Sequence, residues 1–89
     1  MGEEMEHGKM ISIGEVARKC GLSVRRVRYI SDQGYIEAPV LIVSGDITYR
    51  FYTSSHIEQI QGIKSFQDEG YTLRMAAVKV REKKGSRKW

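Results

Sequence analysis

The stretch Ser23-Val24-Arg25-Arg26-Val27-Arg28-Tyr29 sets three arginines and a tyrosine among apolar residues spaced to face inward. At about 100° per residue, Val24, Val27 and Ile30 fall on one side of a helix, while Arg25 and Tyr29 project from the other, flanked by Arg26 and Arg28. A helix with an apolar back and a cationic, aromatic front suits the phosphates and base edges of a DNA groove. Arginine takes guanine O6 and N7 bidentately, and tyrosine reaches phosphate, sugar or a thymine methyl. Ser23 reads as the cap of this helix and Gly34 as its end. Arg26 and Arg28 are placed to grip phosphates, or, for Arg28, to pair with Asp32 four residues on.

Working outward, Ser12 is an N-cap with Glu15 three residues later, a capping box. Ile13, Val16, Ala17 and Cys20 then recur at i, i+3, i+4 and i+7, giving a first helix its inward face. Gly21 stops that helix in a left-handed conformation. Two helices joined by the turn Cys20-Gly21-Leu22 make a helix-turn-helix. Downstream the period changes. Tyr35–Val43 is β-rich, Ser44-Gly45-Asp46 turns, and Ile47–Tyr52 is β-rich again, which predicts a hairpin with Pro39 at its edge. A hairpin directly after a helix-turn-helix is a wing. A third helix follows, capped by Thr53 or Ser55 (the latter with Glu58 as a second box), with Ile57, Ile60, Ile63 and Phe66 inward and Gly70 at its end. Thr72 caps a fourth, whose inner face is Leu73, Ala76, Ala77 and Val80.

The 89 residues allow one domain with one modest core. No apolar run approaches the ~20 residues a membrane span needs, and the acidic start is no secretory signal. A single cysteine excludes an internal disulfide and any multi-cysteine metal site. The expected location is the cytoplasm. Net charge is +4, unevenly spread. Glu3, Glu4 and Glu6 cluster in residues 1–10, expected to be a disordered tail, whereas Lys79, Arg81, Lys83, Lys84, Arg87 and Lys88 crowd the C-terminal end. The expected division is therefore an N-terminal tail 1–10, a folded domain 11–83 and a basic tail 84–89. Two basic clusters point to a polyanion as partner.

Several stretches, taken in order, resemble the MerR family of bacterial transcription regulators over about residues 11–80. Ile11-Ser12-Ile13-Gly14-Glu15-Val16-Ala17 is similar to the family's opening helix, Leu22–Tyr29 to its recognition-helix signature, and Gln33-Gly34-Tyr35-Ile36 to the exit from it. Tyr49-Arg50-Phe51-Tyr52 resembles the Tyr-Arg-x-Tyr stretch that closes the family's wing, and Phe66-x-x-x-Gly70-Tyr71-Thr72-Leu73 its last interhelical loop. Members commonly have a second aromatic where Ile30 stands and an acidic residue where Ser31 stands. Their wings often carry Arg or Lys where this one has Val40-Leu41-Ile42-Val43 and Asp46.

The resemblance implies a mainly α fold with a small β-hairpin, a winged helix-turn-helix. It implies sequence-specific binding of double-stranded DNA, with recognition helix 24–33 in the major groove and wing 35–52 on the flanking backbone. The candidate DNA-binding residues are Ser23, Val24, Arg25, Arg26, Arg28 and Tyr29 on the helix, and Thr48, Tyr49, Arg50 and Tyr52 on the wing. Strand alternation puts Tyr49 and Phe51 on one face and Arg50 and Tyr52 on the other. The resemblance gives Tyr49 and Arg50 to the phosphate backbone, and Phe51 reads as core. Family members continue into a long dimerisation helix and an effector domain. The expectation is thus a fragment of a longer regulator, with a homodimer through a C-terminal helix missing or truncated here as an option.

Cys20 completes an apolar stripe and reads as a buried structural thiol. Neither His7 nor His56 has a ligand or triad partner in the sequence. No carboxylate pair, nucleophile set, phosphate loop or metal spacing is present, so no enzyme, cofactor or metal is expected. Two other readings stand beside the regulator: an excisionase-like architectural DNA-binding factor, and a protein-interaction module using the apolar wing.

Overall fold

The computed structural model describes residues 10–83; the expected N-terminal tail, Met10 apart, and the basic tail 84–89 lie outside that range. Among the described residues the chain forms β1 (Ile11–Ser12), α1 (Ile13–Cys20), α2 (Val24–Asp32), β2 (Val40–Ser44), β3 (Ile47–Tyr52), α3 (Ser54–Asp68) and α4 (Leu73–Lys83). The winged helix-turn-helix order is as expected, with one addition. The hairpin is part of a three-stranded antiparallel sheet in the order β1-β3-β2. The short β1 pairs Ile11 with Tyr52 and Ser12 with Phe51, directly before the chain turns into α1. A two-residue strand carries no alternation to read, so the hydrophobic pattern gives no sign of it.

The local signals act where the sequence places them. Ser12 Oγ accepts the Glu15 backbone N–H at 3.2 Å, capping α1. Glu15 turns its carboxylate to Arg18, 3.4 Å away, and not back to the cap. Gly21 (φ 69) closes α1 in the left-handed region, where an L side chain is strained. Lys64 Nζ adds a donor to the freed Cys20 carbonyl at 2.6 Å, tying α1 to α3. Ser23 caps α2 by accepting the Arg26 N–H at 3.0 Å.

Val16, Ala17, Cys20, Val27, Ile30, Ile36, Tyr52, Ile60, Ile63, Ala76, Ala77 and Val80 form the core, with Ile13, Ile57, Phe66 and Leu73 packed on its margin. Burying each larger aliphatic contributes about 1.5–3 kcal/mol. Helices α3 and α4 approach closely at Gly62, where a Cβ would meet Val80 Cγ2 at 3.0 Å.

Two inward assignments differ from expectation. Val24, placed inward by its angle, is 40% exposed; it sits in the first turn of α2, whose inner face meets the core only from Val27 onward. Phe51, expected in the core, is half-buried, and Tyr52 occupies the core instead. Alternation fixes which residues share a face but not which face is inward, and here the Arg50–Tyr52 face turns toward α2.

Thr53, not Ser55, is the N-cap residue of α3. His56 Nδ1 accepts the Thr53 backbone N–H at 2.9 Å, so Nε2 carries the proton it donates to the Ala38 carbonyl at 3.0 Å. The buried His56 is thus a satisfied structural histidine. Gln59, also buried, accepts the Glu37 N–H at 2.8 Å. His56 and Gln59 together pin residues 37 and 38, the segment that carries the chain from α2 into the wing.

Candidate nucleic-acid interface

Helix α2 is amphipathic in the manner the sequence implies from its second turn onward. Val27 and Ile30 are buried; Ser23, Val24, Arg25, Arg26, Arg28 and Tyr29 are all exposed. Among the described residues, none of the three arginines makes an ion pair. The Arg28–Asp32 pairing allowed by helical spacing does not form, because Asp32 faces the wing and takes Arg50 at 3.1 Å. Tyr29 leans edge-on against Tyr35, with ring centroids 6.4 Å apart. That contact limits the freedom of its ring while leaving the side chain 45% exposed.

On the wing the candidates divide. Thr48 and Tyr49 are exposed, and Tyr49 lies 6.4 Å from the Phe51 ring on the outer face. Tyr52 is 0% exposed and cannot touch DNA without unfolding the wing. It belongs to the core: its ring stands edge-on to His56 at 5.3 Å, and its hydroxyl lies 2.9 Å from Ser31 Oγ. Arg50, directed the same way, is one-quarter exposed.

These residues form a polar clasp between β3 and α2. Ser31 donates to the Val27 carbonyl at 3.0 Å and shares that hydrogen with the Arg28 carbonyl at 3.1 Å. Its oxygen is therefore left to accept from Tyr52 and from Arg50 Nη1, the latter at 3.1 Å. Arg50 Nη1 also reaches Tyr52 Oη at 3.3 Å and Asp32 Oδ1 at 3.1 Å. The Tyr52 oxygen, and after it the Asp32 carboxylate, hold the Arg50 guanidinium more firmly protonated than usual, against the opposing effect of burial. Sequence spacing alone did not bring Ser31 and Asp32 to the wing. The available signal was Ser31 itself, a polar residue one turn after Val27 on the inward side, which requires a partner.

Other chemistry is sparse. Cys20 is a buried free thiol whose pKa is pushed up by burial, with nearby Lys64 acting in the opposite direction. Among the described residues no three His, Cys, Asp or Glu side chains converge as metal ligands would, and no helix is long and apolar enough to cross a membrane.

Comparison with known proteins agrees with this architecture. The sequence profile of the MerR HTH family of regulatory proteins matches residues 11–83. The chain is 36% identical over 61 residues to the mercuric resistance operon regulatory protein of Bacillus cereus, covering 68% of this chain and 44% of that protein. It is 32% identical over 63 residues to the HTH-type transcriptional regulator CueR of Yersinia pestis, covering 71% of this chain and 43% of the relative. The chain spans less than half the length of these curated relatives. With helix-turn-helix, wing and helix pair in the matched span, the chain belongs to the MerR family of helix-turn-helix regulatory proteins.

Proposed function

We propose that residues 11–83 are the DNA-binding domain of a sequence-specific transcription regulator, flanked by tails at 1–10 and 84–89 and acting on double-stranded DNA in the cytoplasm. The observation that carries this is the exposed face of α2: Arg25, Arg26, Arg28 and Tyr29 stand in solvent above a back sealed by Val27 and Ile30. In this reading α2 enters the major groove. Arg25 and Tyr29 meet base edges, and Arg26 and Arg28 meet phosphates. Ser23 and Val24 approach the backbone at the helix N-terminus, where free N–H groups favour an anion. Thr48, Tyr49 and Arg50 lie on the flanking phosphates, and Tyr52 acts from the core. The family match and the exposed cationic face of α2 support a binding role. Operator binding as a homodimer is part of this proposal and rests on the pattern of the family.

Fluorescence-anisotropy titration against pooled random duplexes and the native promoter region, over a salt series, tests the reading. Promoter-selective binding with a steep salt dependence is the expected result. Absence of binding to any duplex at low salt overturns it. Retention of a protein partner that excess duplex DNA does not displace would favour the interaction-module reading.

A further inference from the structure

Arg50 is fastened by one nitrogen. Nη1 is the nitrogen that meets Ser31 at 3.1 Å, Tyr52 at 3.3 Å and Asp32 at 3.1 Å. A guanidinium is planar with its donors in a fixed fork, so anchoring Nη1 orients the other two nitrogens as well. The pair left over, Nε and Nη2, is an edge that can grip two oxygens of a phosphate side by side. The anchors are rigid. Tyr52 is fully buried against His56, and Ser31 is buried and hydrogen-bonded back into its own helix. The clasp therefore transmits the position of α2 to the wing's cation through a short chain of hydrogen bonds: Arg50 to Tyr52, Tyr52 to Ser31, Ser31 to the Val27 carbonyl.

We propose that Ser31, Asp32 and Tyr52 are positioning residues that hold Arg50 in one orientation and present its Nε–Nη2 edge to a DNA phosphate. This rests on the placement of the wing against the backbone made above. A free arginine loses rotamer freedom on docking; an arginine already ordered loses less. Asp32 works in both directions. It orders Arg50, and its own charge opposes an approaching phosphate. The proposal requires that ordering outweigh repulsion.

The full chain and its Tyr52→Phe and Asp32→Ala variants, each alone and combined with Arg50→Ala, are titrated with a fluorescent duplex across a salt series. Each single variant weakens binding by about three- to tenfold, the equivalent of ordering one long side chain. Tyr52→Phe leaves the salt slope unchanged, since no charge is lost, whereas Arg50→Ala lowers it by about one. In the Arg50→Ala background neither second change costs further affinity. Equal losses in both backgrounds would show general structural damage and overturn the proposal. So would tighter binding by Asp32→Ala, which would make the carboxylate a competitor only. Asp32 is half exposed, so its variant carries the test if Tyr52→Phe does not fold. In a second arm, side-chain 15N relaxation of DNA-free protein shows the Arg50 Nε rigid in the parent and mobile in both variants; a mobile Arg50 in the parent overturns the clasp. A parent that binds no duplex overturns the DNA reading and the phosphate with it, and the relaxation arm separates that failure from failure of the clasp.

Discussion

Helix α2 and the wing adjoin in sequence and are proposed to lie on one DNA face, yet they are built in opposite ways. From Val27 onward the helix hides its aliphatic residues, and it exposes its charges. The wing exposes Leu41 (59%), Val43 (69%) and Ile47 (54%) toward its tip, and its one cation is folded back against the helix. The contrast arises from how each element is supported. A helix lying on the core buries one stripe along its length. A projecting hairpin buries only its base, so beyond Tyr52 and Arg50 neither face of the wing has anything to pack against. On the proposed reading the helix carries specificity through its own exposed side chains, and Arg50 is the wing contact that the core orients.

The strongest test of that contrast is at the wing's base. Tyr52→Ala removes a fully buried ring and strips Ser31 and Arg50 of a partner. The expected cost is about 3–5 kcal/mol, read as a lower urea midpoint at unchanged slope. A loss below about 1 kcal/mol would mean that the wing is not anchored through this residue.

Next is the helix itself. Arg25→Ala is expected to weaken binding to the preferred duplex by about 1–3 kcal/mol and to relax preference at one base pair. Fold stability should stay within about 0.5 kcal/mol, as for an exposed surface position. Anisotropy titrations on single-base operator variants measure this. A uniform loss on every sequence would move Arg25 from base reading to phosphate contact, and make helix and wing more alike than proposed.

A smaller effect is expected at Ser23, whose hydroxyl caps α2 through the Arg26 N–H. Ser23→Ala should cost about 1 kcal/mol of stability in thermal or urea unfolding. Ser23→Gly should cost only a few tenths of that unit, which separates the cap from any DNA contact made by the hydroxyl.

The same contrast explains what could be read in the sequence. The spacing of Val16, Ala17 and Cys20, and of Val27 and Ile30, gave the helices and their inner faces because a helix repeats its face every turn. The caps at Ser12 and Ser23 and the left-handed Gly21 were legible because each is a local hydrogen-bond or steric requirement. Strand alternation pairs Arg50 with Tyr52 but does not say that this face turns inward, which is why the sequence alone points Tyr52 at DNA and Phe51 at the core. The clasp joins residues 31 and 32 to 50 and 52, and the His56–Ala38 and Gln59–Glu37 bonds span about as far. Such partnerships depend on how elements dock, and no local pattern announces them.

The least disruptive change asks where the wing tip lies. Val43→Lys replaces the most exposed large apolar side chain of β2, an edge strand. Little burial is lost, so stability should change by no more than about 0.5 kcal/mol. Val27, at 0% exposure, offers no such tolerance, since a lysine there would bury a charge. A lysine on an edge strand also discourages strand-to-strand association, so light scattering at high protein concentration should fall or stay level. For DNA the outcome is geometric. A cation within about 10 Å of a phosphate adds to the attraction at ordinary ionic strength, and steepens the salt slope by up to about one. If affinity and slope both rise, the whole wing lies along the backbone. If both stay unchanged while Arg50→Ala lowers them, only the clasped base of the wing reaches DNA, and the apolar tip stands clear of it.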